Sequence, residues 1–334
     1  MKIAFFFSLA SAFSASCALA NDSTAELATG GLKFLKDPDI AMKSEDLFIS
    51  AEAVRVAYVF LNGGAADKTA LIAFPMPDIT GSQDFTVGIP GEDPENPFNF
   101  RVKADGAEVA LALQGQALFN GADVTKKLKA WGVPLAPWGD KTAAALDKVP
   151  PAAKAELLKL GMAYEDEFTD KANGPMEKHL GALWTYRSAF TWTQVFPAGK
   201  PLNLEQSYAP SVGGTAVTSV GSADWRKKDY LKDYPEKYCI DGDLDATLTK
   251  ARIKAKGDLP PFGEQRIDYV LTTGANWAGP IGDFHLTIDK GKPSNLVSFC
   301  ADGVKKTGAT QFEVRKTDFT PKKDLNILIL TPQG

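Results

Sequence analysis

The sequence predicts a mainly β protein made of two antiparallel β-sandwich-like units with a short helical insertion. Three observations lead there. Period-two runs of Val, Ile and aromatic residues recur before residue 119 and after residue 179; Gly, Pro and Asn punctuate them; and between them Ala, Leu and Lys replace the β-branched residues.

Residues 1–20 start with Lys2, continue through an apolar stretch over 3–17 and end on Ala18-Leu19-Ala20. That order of charge, apolar core and small residues is a secretory signal peptide cleaved after Ala20. A lipoprotein leader would acylate Cys17, but Ser14 stands where such leaders carry Leu. The first β unit spans 21–119. Within it, 54–61 and 69–74 alternate on either side of Asn62-Gly63-Gly64, a hairpin signal, and 98–104 and 108–113 flank Asp105-Gly106. Pro75, Pro77, Pro90, Pro94 and Pro97 mark strand ends and loops, because proline cannot donate to a central ladder.

The helical insertion spans 120–178, with helices expected from a cap at Asp123 to about Trp131, from Asp140 through Val149, and from Pro151 to Gly161. The second β unit spans 179–334. Its strands are expected at 183–196, 202–208, 267–273, 284–288, 295–300, 311–319 and 326–330, and one helix follows Asp243 until Gly257 and Pro260-Pro261 stop it.

With 44% hydrophobic and 23% charged residues in 334, the chain can bury a large core. Lys+Arg 37 against Asp+Glu 41, with no dense basic block, argues against a nucleic-acid surface, since phosphate binding draws on clustered positive charge. Beyond the leader no apolar run approaches the roughly 18 residues of a transmembrane segment. The expected location is periplasmic or secreted. In that oxidising compartment the two cysteines that outlast the leader, Cys239 and Cys300, are expected to pair. Closing a loop of about sixty residues contributes about 4 kcal/mol in the chain-entropy model.

Chemistry-bearing motifs are mostly missing: the chain has no GxSxG, HExxH, GxxxxGK or GxGxxG, and its histidines are His179 and His285. No catalytic residue and no cofactor is assigned. A strand over 284–288 would align Asp283, His285, Thr287 and Asp289 on one face, where they could hold a cation or poise a base; a solvated strand face accounts for the same pattern. Asp241, Asp243 and Asp245 begin a calcium-loop spacing and are the metal candidates. They are weak ones: Ala246 and Arg252 replace the Gly and Glu such a loop needs, and helix capping explains the aspartates. Trp184, Tyr186, Phe190, Trp192 and Phe196 share one face of a strand over 184–196 and read as a core seam, or, if exposed, as a stacking platform. Trp131, Trp138, Trp225 and Trp277 stand in loop-like Gly/Pro-rich contexts and are the candidate ligand contacts.

Five ordered segments carry a resemblance: Ser44-Glu45-Asp46-Leu47-Phe48-Ile49-Ser50, Ile72-Ala73-Phe74-Pro75-Met76-Pro77, Trp192-Thr193-Gln194-Val195-Phe196-Pro197-Ala198-Gly199, Tyr238-Cys239-Ile240-Asp241 and Thr273-Gly274-Ala275-Asn276-Trp277. Together they resemble the domain of unknown function 4424 family over nearly the whole chain after residue 20. The resemblance implies a secreted protein of Gram-negative bacteria and brings no catalytic residue with it. The resulting expectation is a non-enzymatic binding or interaction module of the bacterial envelope whose partner is an envelope protein or glycan. The alternative is a hydrolase acting on an envelope polymer through two carboxylates flanking a cleft.

Overall fold

The computed structural model describes residues 21–28, 31–83, 88–91, 93, 95–169 and 174–333. The segment read as a signal peptide, 1–20, lies outside the described residues. The protein is mainly β, with antiparallel sheets and few helices.

Two large sheets dominate among the described residues. A seven-stranded sheet is centred on Thr185–Phe196, which pairs with Lys68–Pro75 on one side and Ala112–Phe119 on the other. An eight-stranded sheet is centred on Ile40–Ile49 and Val54–Asn62, flanked by Ile281–Asp289 and Pro201–Tyr208. Ile281–Asp289 runs parallel to Ile40–Ile49, and the other ladders of both sheets are antiparallel. Each of these strands turns alternate apolar side chains inward, and they meet in one core that includes Leu47, Val56, Phe60, Phe74, Phe100, Phe190 and Phe196. Strands from 21–119 and from 179–334 therefore share both sheets.

The expected 54–61 and 69–74 hairpin is not formed. Val54–Asn62 belongs to the eight-stranded sheet and Lys68–Pro75 to the seven-stranded one. Both strands carry a buried face, and the residues joining them let the chain turn the corner between layers so that the two faces oppose each other across the core. Asn62 pins that corner: its amide donates to the carbonyls of Ala66 (3.0 Å) and Phe196 (2.9 Å), and its Oδ1 accepts from Gly64 N (2.8 Å). The chain crosses between sheets a second time beside it, from Phe196 to Pro201, and there Ala198 N donates to Asp67 (2.9 Å).

The inserted helices are Thr125–Ala130, Asp140–Asp147 and Pro151–Leu160, the last closed by Gly161 in the left-handed conformation (φ 73°). Asp123 does not cap the first; it bonds Thr125 N from the preceding turn. Leu128, Leu146 and Leu157 pack with Trp184 and Leu180 into a satellite core. The insertion also holds a hairpin, Ala163–Phe168 with Glu177–Ala182, that the helix reading missed. Most side chains of its first strand are exposed, so its sequence lacks an apolar period of two.

A four-stranded sheet closes the molecule, with Leu325–Pro332 at its middle. Ile327 and Ile329 face the main core, while Leu328 and Leu330 face Leu248 of the helix Gly242–Ala255. That helix is capped by Asp241, whose side chain accepts from Leu244 N at 2.8 Å, two residues earlier than the expected Asp243 cap. Cys239 and Cys300 form a disulfide that ties the approach to this helix to the Leu296–Phe299 strand.

The aromatic row of the 184–196 strand is core: Trp184, Phe190, Trp192 and Phe196 are all buried. Trp192→Ala is expected to destabilise the protein by about 3–5 kcal/mol, since it removes a large side chain from a close-packed interior; urea unfolding of the two proteins measures it.

Candidate functional site

Two polar places stand out, one inside the sandwich and one on its outer face.

The inner one is built around the first described residues. Asn21, Asp22 and Ser23 are fully buried and lie between the sheets. Asn21 Nδ2 donates to both oxygens of Glu45 at 3.2 Å, its Oδ1 accepts from Tyr58 Oη, and its carbonyl accepts from Thr273 Oγ1 at 2.7 Å. The Asp22 carbonyl accepts from Trp277 Nε1 (2.8 Å) and its Oδ2 from Gln206 Nε2 (2.6 Å). Asn276 Nδ2 reaches Ser23 Oγ at 3.0 Å. A Cβ at residue 274 would sit 2.9 Å from Asn21 Nδ2, so Gly274 is what lets the turn close over it.

This grip is nearly complete on neutral groups and incomplete on charge. Asp22 Oδ1 has no hydrogen-bond partner, and no Lys or Arg forms an ion pair with Asp22 or Glu45 among the described residues. Burial pushes the carboxyls of Asp22 and Glu45 up to about 8, against the lowering effect of Gln206 and Asn21 respectively. Burial likewise holds Tyr58 and Tyr269, whose hydroxyls lie 3.4 Å apart, well above their ordinary value.

The outer place is a groove of about 490 Å³ on the solvent side of the eight-stranded sheet. Its floor is Ala57, whose register neighbours are Asp46 on one strand and Glu205 on the other. Two interstrand spacings separate those carboxylates at the backbone, about 10 Å. Beside them a second row runs through Phe48, Arg55, Ser207 and Arg101 in register, with the Arg55 guanidinium 4.1 Å from the centre of the Phe48 ring. Lys103 and Glu108 close the far edge, 3.8 Å apart.

The Asp283-His285-Thr287-Asp289 face opens onto the same side. His285 meets carboxylates from the neighbouring strands, with Nδ1 3.1 Å from Asp46 and Nε2 3.4 Å from Glu313. Among the described residues no three His, Cys, Asp or Glu side chains gather as a metal site. His285 thus anchors one wall of the groove by orienting Asp46.

The other sequence candidates fall elsewhere. Trp277 is buried in the main core, 4.6 Å from Phe60 ring to ring, and Trp225 is buried under the Gly242–Ala255 helix with its Nε1 bonded to Asp245 (2.9 Å). Neither faces solvent, and the Gly-rich context reflects tight turns around a buried indole. Trp131 and Trp138 are half-buried, Trp138 edge-on to Tyr186. Asp241 caps its helix and Asp245 bonds Trp225 and Arg226, while Asp243 lies in the helix's first turn. The groove residues escaped notice because each strand contributes one or two, and only cross-strand register brings them together.

The chain matches the family model described as domain of unknown function (DUF4424) over residues 20–328. It belongs to that family. No curated protein matches it. A solved structure of a candidate nutrient binding protein from Legionella pneumophila is similar at 14% identity and a TM-score of 0.43, covering 93% of this chain and 71% of that one; a likeness that distant bears on neither fold detail nor function.

The buried carboxyls set a pH dependence. In a chain with any residue in peptide linkage before Asn21, the folded state keeps protons on Asp22 and Glu45 up to about pH 8, whereas the unfolded chain releases them near 4. Stability is then full below about pH 4 and falls as pH rises through 8. Urea midpoints of a chain extended by Gly-Ser before Asn21 are expected to drop between pH 5 and 8, and Glu45→Gln to flatten that drop.

Proposed function

We propose that the protein is an exported, non-enzymatic binding module of the bacterial envelope, and that the groove over Ala57 receives a charged segment of an envelope protein or glycan. The groove's alternation of charge carries this reading. Lys103, Arg101 and Arg55 alternate with Glu205, Asp46 and Glu108 across five strands, a pattern that selects a partner by charge register. The disulfide supports export, and no helix among the described residues is long and apolar enough to cross a membrane.

A second reading rests on one observation: Asp46 and Glu205 stand on either side of the groove floor, as the two carboxylates of a polymer hydrolase flank its cleft. A general acid at neutral pH needs desolvation, however, and the Asp46 side chain is 65% exposed. Two fully desolvated carboxyls, Asp22 and Glu45, are sealed inside the sandwich, where no polymer reaches.

A photo-cross-linking residue at position 57, irradiated in the host envelope, is expected to give one dominant adduct. Arg101→Glu with Lys103→Glu should abolish it at an unchanged melting temperature. Adducts no different from those at an exposed position outside the groove, such as 302, would sink the proposal; soluble fragments released from isolated envelope, and stopped by Asp46→Asn, would promote the hydrolase.

A further inference from the structure

Mature exported proteins begin with a free amine, and the leader reading places that amine on Asn21, the residue at the centre of the buried polar cluster. We propose that the chain is cut between Ala20 and Asn21 and that the resulting α-ammonium group is buried between the two sheets as the counter-ion of Glu45 and Asp22, so that maturation completes the core. The inference uses the export reading but not the groove.

The receptacle is already built. Asn21 is fully buried, its side-chain amide lies 3.2 Å from both Glu45 oxygens, and covalent geometry keeps its α-nitrogen within about 5 Å of that amide. Thr273 and Tyr58 hold the residue at two points, its carbonyl and its side-chain oxygen. Facing it are two carboxyls without a cation, one of which, Asp22, carries an unpartnered buried oxygen. A peptide nitrogen at residue 21 offers one neutral donor. An ammonium offers three donors and a charge, which is what the cluster lacks.

The step balances simply. Water adds across the Ala20–Asn21 peptide bond under a leader peptidase, leaving a carboxylate on Ala20, whose proton passes to solvent, and an amine on Asn21. The amine, with an unperturbed pKa of about 8, takes the proton that one of the two carboxyls gives up. The other carboxyl keeps its proton, since one ammonium neutralises one carboxylate. The titratable groups facing the amine are then Asp22 on its own strand, Glu45 on Ile40–Ile49, Tyr58 on Val54–Asn62 and Tyr269 on Phe262–Tyr269; the remaining partners, Gln206, Thr273 and Asn276, are neutral.

Three measurements on the full mature chain test this. The first is the intact mass of the protein recovered from its host envelope, which should correspond to a start at Asn21. The second is reductive methylation with formaldehyde under native conditions, in which the α-amine should react at least about 100-fold more slowly than the exposed lysines and lose that protection on unfolding. The third compares the mature chain with one extended by Gly-Ser before Asn21. The extended chain should melt about 5 °C lower near pH 7, with a gap that widens from pH 5 to 8 and shrinks in Glu45→Gln. A native α-amine that reacts as fast as the lysines, equal melting of the two chains, or a mature start other than Asn21 would each overturn the proposal. A chain recovered uncut would overturn the export reading with it, whereas a chain cut after Ala20 with a freely reacting amine overturns the buried ion pair alone.

Discussion

The burial of residues 21–23 between the two large sheets is the constraint on which the rest of the structure depends. These residues start the strand that joins Lys68–Pro75 in the seven-stranded sheet, yet their side chains and carbonyls are held by the opposite layer: Glu45 and Tyr58 from two strands of the eight-stranded sheet, Gln206 from a third, and the Thr272–Asn276 turn with Trp277 from beyond it. A polar segment in such a place loses its hydration and is tolerable only when nearly all its groups find partners. Because those partners come from residues 45 to 277, the polar centre cannot form until the distant parts of the chain have met. It therefore specifies how the sheets register against each other, which an apolar core alone leaves loosely defined.

With the inner faces committed to this centre and to the aromatic core around it, any recognition surface must use the outer faces. Alternation along each strand supplies one there at no cost to the core. Val56 and Tyr58 point in while Arg55 and Ala57 point out, and Leu204 and Gln206 point in while Glu205 points out. The small side chain of Ala57 between Asp46 and Glu205 opens the groove. The ladder hydrogen bonds hold its walls in fixed register, so the charge pattern is presented on a rigid platform rather than on a mobile loop.

The sequence made the β class, the apolar seam of 184–196, the Pro151–Leu160 helix and the strands late in the chain legible, since in each the apolar period or the cap is unbroken. It hid features that depend on which strands become neighbours. The supposed hairpin at Asn62 has alternating strands on either side of a turn, and nothing local distinguishes a turn within one sheet from a corner between two. The four loop-like tryptophans looked alike in sequence, yet Trp277 and Trp225 are buried by elements distant in the chain. The polar centre was invisible for the opposite reason: Asn21 and Asp22 read as ordinary hydrophilic residues after a leader, and their burial follows only from the packing above them.

The strand Ile40–Ile49 shows how finely the two polar places are linked. Its inward residues are Ile40 and Met42 at first and then Glu45, Leu47 and Ile49, a change of phase produced by a bulge in its pairing with Val54–Asn62 between Met42 and Ser44. If the same residues paired without the bulge, strict alternation from Met42 would turn Asp46 and Phe48 into the core and Glu45 outward. Both sites would then be lost at once, the inner one its carboxyl and the outer one a wall. The bulge needs room on the neighbouring strand, and Gly282 provides it: a Cβ there would fall 2.6 Å from the carbonyl oxygen of Lys43. One inserted residue and one missing side chain thus decide which of two adjacent acids meets the start of the chain and which meets solvent.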